Sequence, residues 1–339
     1  MQKSFKPLVS IILPTFNRAH FLPDAFEAIK EQSFSDWELI IVDDGSKDNT
    51  KEIVDKFKRE ISQKVIYLYQ ENKGPAAARN KGLEYARGKY IAFCDSDDIW
   101  LSHHLEKCVD ALEKNSDIDW VFGACRLVEY PSGKIINPNH FYNLDGNPRK
   151  ILKLKTISRN GLFVFTDQES VIKSALSGEF SAGPQHSLIR HKLFADHKFD
   201  ERFRIGEDQL LVLRSLKEGY RFSFFKEVHV IYRIHNYNIS LAARQNTVEE
   251  KVQKTLEFVN ALRETKNILS FSEKMVLCRR IANVYFWNIG YLYFQNKNYS
   301  EALHFFLRGI FLNPLSLKFW KTTLWFLLRF SLFRLGFVK

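Results

Sequence analysis

Residues 38–50 read ELIIVDDGSKDNT, and this stretch decides the class of fold. Residues 39–42 are an unbroken apolar run of strand length, the pattern of a parallel strand covered on both faces. The run stops at Asp43-Asp44-Gly45. Asp48, Asn49 and Thr50 then offer side-chain oxygens to the start of a helix whose inner face is Ile53, Val54 and Phe57. Upstream, residues 8–13 form a second apolar run, and Leu22, Ala25, Phe26 and Ile29 recur at helical spacing between the two. Downstream come a strand at 65–69, a helix at 75–86 and a strand at 90–94. Strands alternating with helices in this order predict an α/β fold, a mostly parallel sheet flanked by helices with right-handed crossovers. Ligands of such sheets sit beyond the carboxyl ends of the strands.

The chain has 339 residues, 45% of them hydrophobic, and a formal charge of +11. That is enough apolar material for one large domain with a smaller appendage, and it excludes a disordered chain. The positive charge calls for a negative partner, which nucleic acid, an anionic membrane surface or a diphosphate would each supply. The basic residues are scattered and form no nucleic-acid-binding module, so nucleic acid is not expected. Cys94, Cys108, Cys125 and Cys278 show neither a CxxC pair nor a Cys/His metal spacing, and read as reduced thiols. Residues 9–13 are too short a run for a secretory signal, which sets the expectation of a cytoplasmic protein.

Residues 131–181 read as loops and short helices rather than sheet. Strands return near 187–190 and 222–233, with a helix between them starting around Asp208. Past Ala243 the pattern is helical throughout, which divides the chain into residues 1–243 and 244–339. Within the second part, Phe286, Ile289, Gly290, Tyr293, Tyr299, Ala302, Phe306, Gly309 and Pro314 fall at the spacing of a tetratricopeptide-like helix pair over about 282–314. Lys297 stands where such pairs usually have glycine. One pair is too little for a solenoid, so it is expected to pack on the α/β domain or on a second subunit of a homo-oligomer. Residues 315–339 contain no acidic residue but carry Lys318, Lys321, Arg329, Arg334 and Lys339 among tryptophans, leucines and phenylalanines. These features suit a helix lying in an anionic membrane interface at the inner face of the cell membrane. The alternative is a helix packed on the protein itself.

Polar residues gather where the strands end: Pro14-Thr15-Phe16-Asn17, Asp43-Asp44-Gly45-Ser46 and Asp95-Ser96-Asp97-Asp98. Five carboxylates at neighbouring strand ends repel one another unless a cation or hydrogen-bond donors offset them. A hard divalent ion shared with a diphosphate does so.

The ordered runs SIILPTFN, ELIIVDDGSKDNT, GPAAARNKG, YIAFCDSDD and GEDQLLVLR resemble the family 2 glycosyltransferases of the GT-A (Rossmann-like) fold, over roughly residues 7–240. The resemblance implies an inverting, hexosyltransferase-like enzyme that uses a nucleotide sugar, UDP-linked by default, with Mn2+ or Mg2+. Pro14 and Phe16 would line the base pocket, and Asp44 would accept a hydrogen bond from the base. Arg79 would lie near the donor phosphates, with Asp95 and Ser96 near the ribose. Asp97, the second carboxylate of the DxD motif, would hold the metal, with His235 of YRIHNYNIS as a further ligand and Arg233 facing the phosphates. Asp208 would be the catalytic base, deprotonating the acceptor hydroxyl. Asp98 would be either an acceptor-side contact or a structural hydrogen-bond partner, and His186 and Glu207 are acceptor-side candidates. The implied acceptor is a glycan or lipid-linked saccharide of a bacterial surface polysaccharide. A sugar-phosphate nucleotidylyltransferase would need a glycine-rich loop after the first strand, and LPTFNRAHF has no glycine. A catalytically inactive scaffold acting through its helical tail would have lost the DxD motif or the base, and both are present.

Overall fold

The protein was analysed as a computed structural model that describes residues 6–236, 238 and 247–334, with side chains in the last helix described as far as Leu328. The first half follows the expected alternation: β1 (Val9–Thr15), α1 (Leu22–Lys30), β2 (Trp37–Asp43), α2 (Thr50–Glu60), β3 (Val65–Tyr69), α3 (Pro75–Tyr85), β4 (Tyr90–Phe93) and the short β5 (Ile99–Trp100). Then come α4 (His104–Lys114), β6 (Trp120–Glu129), β7 (Ile135–Asn137), β8 (Thr156–Arg159), β9 (Leu162–Phe165), α5 (Gln168–Ser177), β10 (Ser187–Arg190), α6 (Glu207–Lys217) and β11 (Phe222–Ile234). The remainder is helical: α7 (Val248–Arg263), α8 (Phe271–Asn283), a π-helical stretch Val284–Gly290, α9 (Tyr291–Gln295), α10 (Tyr299–Leu312) and α11 (Leu317–Arg334). The expected division at 243/244 falls outside the described residues.

The sheet runs β3-β2-β1-β4-β10-β6-β11-β9-β8. Pairs β3/β2, β2/β1, β1/β4 and β6/β11 are parallel, whereas β10 lies antiparallel between β4 and β6. All seven residues of β2 are buried, Glu38 and Asp43 included, and its apolar run 39–42 is unbroken because helices cover both faces. One face packs α1, α2 and α4 through Leu22, Phe26, Val54, Leu105 and Leu112. The other packs α3, α5, α6 and the C-terminal helices through Ala76, Val171, Leu211, Val252 and Leu277. Truncating a central residue such as Ile40 to Ala costs about 2–5 kcal/mol by leaving a cavity between such layers.

The region 131–181 departs from the expected loops and short helices. It contributes the β8–β9 hairpin, paired to β11 through Ser223 and Phe224, and the ten-residue helix α5. Strand β6, ten residues beginning Trp-Val-Phe, was not anticipated. Its inner half is apolar, and Gly123 interrupts the run because the His229 ring lies where a Cβ would stand.

In the helical region, a Cβ on Gly290 would lie 2.7 Å from the Phe306 ring, and one on Gly309 would lie 3.0 Å from the Phe286 Cβ. The two glycines let the paired helices touch. Lys297, between them, adopts φ +61°, the left-handed conformation that favours glycine. Helix α11 buries Phe319, Thr323 and Phe326 against this pair and exposes Leu317, Trp320, Leu324, Trp325 and Leu328. No helix among the described residues is long and apolar enough to cross a membrane.

Candidate active site

The polar ends of β1, β2 and β4 meet at the carboxyl edge of the sheet. The first two loops are tied together: Asn17, at φ +52°, accepts from the Lys47 N–H (2.8 Å) and donates its own N–H to Ser46 (2.9 Å). Asp48 caps α2 through Thr50 and accepts from the Ala19 N–H at 3.0 Å. Above this junction Pro14 is half-buried and Phe16 is 43% exposed, a ring face open to a flat ligand. Asp44 is buried, and its carboxylate accepts from Gln70 Nε2 and from the backbone N–H groups of Lys73 and Gly74, each at 2.8 Å. It therefore shapes the loop before α3 and keeps lone-pair capacity on Oδ2 for one further donor. Gln70 was not singled out from the sequence.

Two positive groups organise the β4 carboxylates. Arg79, on α3, donates from Nη2 to Asp95 (3.0 Å) and from Nη1 to Glu207 at the start of α6 (2.8 Å), with its guanidinium over the Phe199 ring. Burial opposes its charge, yet Asp95 and Glu207 hold its pKa above the ordinary value. Arg18, in the turn after β1, donates from Nη1 to Asp97 Oδ2 at 2.8 Å. The same nitrogen lies 3.1 Å from His235 Nε2, and His235 Nε2 lies 2.9 Å from Asp97 Oδ2. Burial pushes the Asp97 pKa up, but the His235 hydrogen bond and the Arg18 charge outweigh it and keep the carboxylate below its usual range. Ser96, between the two aspartates, is buried.

Asp98 behaves differently. It is 1% exposed and, among the described residues, accepts only a long 3.3 Å bond from the Arg233 N–H and has no partner at Oδ2. Burial, then the charges of Asp97 and Asp95, raise its pKa well above normal. Of its two expected roles the geometry favours the structural one. Arg233 is engaged by the protein itself: its Nε donates to the Asp97 carbonyl and its Nη1 to Asp24 (2.5 Å), and the guanidinium stacks over Phe21. The Asp24 pairing, and Arg18 as a partner of Asp97, were missed because no spacing links α1 to β11 or the first turn to the turn after β4.

Gly206, at φ +92°, precedes α6 and sets Glu207 and Asp208 at its first turn. Glu207 is buried against Arg79. Burial and the neighbouring Asp208 raise its pKa to about 8 in spite of the guanidinium. Asp208 is half-buried, its pKa raised by burial, and its Oδ1 accepts from the Gln209 N–H at 2.7 Å. Among the described residues no side chain hydrogen-bonds to Asp208, so of the two adjacent carboxylates it is the one open to a ligand. His186 is 1% exposed: one ring nitrogen contacts the Gly123 carbonyl (2.7 Å) and the other accepts from the Gly183 N–H (3.0 Å). With both nitrogens engaged and its pKa pushed down to about 4 by burial, it presents nothing to an acceptor.

With that geometry described, relatives can be set beside it. The profile described as Glycosyl transferase family 2 matches residues 10–168. The GalNAc(5)-diNAcBac-PP-undecaprenol beta-1,3-glucosyltransferase of Campylobacter jejuni is 31% identical over 245 residues, covering 71% of this chain and 69% of that protein. The chain belongs to glycosyltransferase family 2. The putative teichuronic acid biosynthesis glycosyltransferase TuaG of Bacillus subtilis is 42% identical over 114 residues, 33% of this chain, and the match spans 45% of TuaG's own length. Among solved structures, S. aureus TarS 1–349 in complex with UDP-GlcNAc superposes with a TM-score of 0.54 at 17% identity, over 89% of this chain and 91% of that one. That likeness shows the GT-A fold: a mixed, mostly parallel sheet followed by helices.

Two ligands at right angles around a divalent ion with bonds of about 2.1 Å stand about 3 Å apart; Asp97 Oδ2 and His235 Nε2 are separated by 2.9 Å, and Arg18 Nη1, 2.8 and 3.1 Å from them, takes the positive charge's place beside both. A carboxylate oxygen with an imidazole nitrogen suits manganese as well as magnesium.

Proposed function

We propose that this family 2 glycosyltransferase is an inverting, Mn2+- or Mg2+-dependent enzyme that moves a sugar from a nucleotide-diphosphate sugar, UDP-linked in the first instance, to a hydroxyl of a glycan or lipid-linked saccharide. The observation that carries this reading is the continuous bridge Asp95–Arg79–Glu207, which fixes the DxD carboxylates and the helix bearing Asp208 to one another. Phe16 and Pro14 flank the base and Asp44 accepts from it. Asp97 and His235 hold the ion, which neutralises charge on the departing diphosphate. Asp208 takes the proton of the acceptor hydroxyl as that oxygen attacks the anomeric carbon from the face opposite the leaving group. One displacement inverts the configuration.

The Campylobacter relative's name gives it an undecaprenol-linked substrate, which supports a lipid-linked acceptor here and a place in surface polysaccharide assembly. The exposed apolar and basic face of α11 supports peripheral attachment at the inner face of the membrane. The side chains of Arg329 and Arg334, and Lys339, lie outside the described residues. The test is calorimetry with nucleoside diphosphates and nucleotide sugars, with and without Mn2+, on wild type and Asp97→Ala. Metal-dependent binding of one nucleotide, lost in the variant, is expected. Binding of no nucleotide under either condition would turn the assignment toward a scaffold that has kept the fold.

A further inference from the structure

Behind the DxD turn lies a second cluster that the sugar-transfer site does not use. His104 and Cys108 sit one helical turn apart on α4, and His229 projects toward them from β11. None of the three exposes any surface. His104 Nδ1 and His229 Nδ1 are 3.1 Å apart, and Cys108 Sγ lies 3.9 and 3.8 Å from them. A triangle with these sides has its centre about 2.1 Å from each corner, close to the zinc–imidazole distance of about 2.0–2.1 Å and the zinc–thiolate distance of about 2.3 Å. The fold makes room for this arrangement. A Cβ at Gly123 would lie 2.2 Å from the His229 ring, so the ring stands over the backbone of β6 and faces α4. His104 Nε2 and His229 Nε2 are both buried without a hydrogen-bond partner among the described residues, the second of them 3.5 Å from Glu227 Oε1. A carboxylate behind a ligating histidine orients the ring and sets its tautomer.

We propose that His104, Cys108 and His229 form a structural site for a thiophilic d10 ion, zinc or cuprous copper, bound by the two Nδ1 atoms and the Cys108 thiolate. Both histidines then carry their proton on Nε2. The thiol proton leaves to solvent, one for each ion bound. Burial drives both histidine pKa values down, which keeps the imidazoles neutral and able to ligate. The ion would tie α4 to β11 at the point where β11 pairs with β5 and where Leu101 donates its N–H to the His229 carbonyl (2.9 Å). Strand β5 starts directly after Asp98, so the staple fixes the base of the DxD turn. The sequence hides the site because only the i, i+4 pair is local and the third ligand comes 121 residues after Cys108.

The test is metal analysis of the full chain, purified without a histidine tag from zinc- and copper-supplemented cells. Close to one zinc or copper per chain is expected, and which element is found distinguishes the two ions. It should be retained in Asp97→Ala, which removes the strand-end site, and lost in Cys108→Ser, whose fold is checked by circular dichroism. Refolding with Co2+ should give a thiolate-to-cobalt charge-transfer band in wild type that Cys108→Ser lacks. A metal-free wild type that acquires no such band would overturn the proposal, as would metal content unchanged by Cys108→Ser.

Discussion

Asp95 and Glu207, on β4's terminal turn and on α6, are held together by one buried guanidinium: Arg79 gives Nη2 to the first at 3.0 Å and Nη1 to the second at 2.8 Å. Removing one partner of a buried ion pair costs about 3–5 kcal/mol, because the other charge is left uncompensated. Arg79→Ala is therefore expected to lower unfolding stability by at least that amount in urea titration. Arg79→Lys, with a single ammonium in place of the fork, should recover only part of it. A loss below 1 kcal/mol would mean that the bridge is not a structural element.

The adjacent carboxylates give a pH signature. Burial raises the pKa of Glu207 to about 8 and that of Asp208 above its ordinary value. Such a pair titrates jointly. A carboxyl with a raised folded-state pKa binds its proton more tightly folded than unfolded. Its stabilising contribution is thus complete below about pH 4.5 and is lost as pH rises toward about 8. Activity runs the opposite way, since a base must be ionised, so kcat/KM should climb with pH as Asp208 loses its proton. The Asp95 charge raises the Asp208 pKa, so Asp95→Asn should move that limb to lower pH. Asp208→Asn should lower kcat by about 10²–10⁴ with little change in donor affinity. An unmoved limb in Asp95→Asn would show that the Asp95 charge does not reach Asp208.

Arg18 places a positive charge on the same two atoms, Asp97 Oδ2 and His235 Nε2, that suit a divalent ion. A cation entering there must displace the guanidinium from Asp97. Arg18→Ala is expected to raise Mn2+ affinity at least several-fold, read by calorimetry or by the manganese magnetic resonance signal without donor. Unchanged or weaker binding would mean that Arg18 does not compete for this position.

How far the sequence revealed this site follows from the range over which its signals act. Strand β2 was legible because its centre, residues 39–42, is buried on both faces and so is an unbroken apolar run. Asp97 and Asp208 were legible because each lies in a short local motif at an element end. Arg18 and Gln70 were not: their partners lie 79 and 26 residues away, and only the closed sheet brings them together. Residues 156–165 were missed as a hairpin because TISR and LFVF are short, and half of the first strand is exposed. His186 drew notice because it follows Gly183-Pro184, but the sequence does not show that the short turn before β10 sets it in the core.

Gly206 sets the orientation of α6 and touches the helical region. At φ +92° it occupies a conformation costly to other residues, and a Cβ there would stand 3.0 Å from the Ala261 Cβ and from the Phe258 ring of α7. The left-handed backbone alone costs about 1–2 kcal/mol for an L-residue. Gly206→Ala should lose at least that in stability and shift Asp208, reducing kcat more than it raises donor KM. Arg280 on α8 supports the same helix by donating to Gln209 at 2.9 Å. Arg280→Ala should reproduce a milder form of the defect, of about 1–3 kcal/mol. Full activity in both variants would separate the helical region from catalysis.

The last helix tests the membrane reading without touching the core. Phe319 and Phe326 hold α11 against its neighbours, whereas Trp320, Leu324, Trp325, Lys318 and Lys321 lie outside. Changes on the outer face should therefore spare the fold. Each lysine near an anionic bilayer contributes about 1 kcal/mol, and the term is screened by salt. Lys318→Glu with Lys321→Glu should reduce co-sedimentation with phosphatidylglycerol vesicles at least tenfold at low salt, leaving binding to neutral vesicles unchanged. Trp320→Ala with Trp325→Ala should weaken both, because apolar insertion does not depend on lipid charge. If neither pair alters vesicle binding while thermal stability falls, the outer face of α11 is covered by protein rather than lipid.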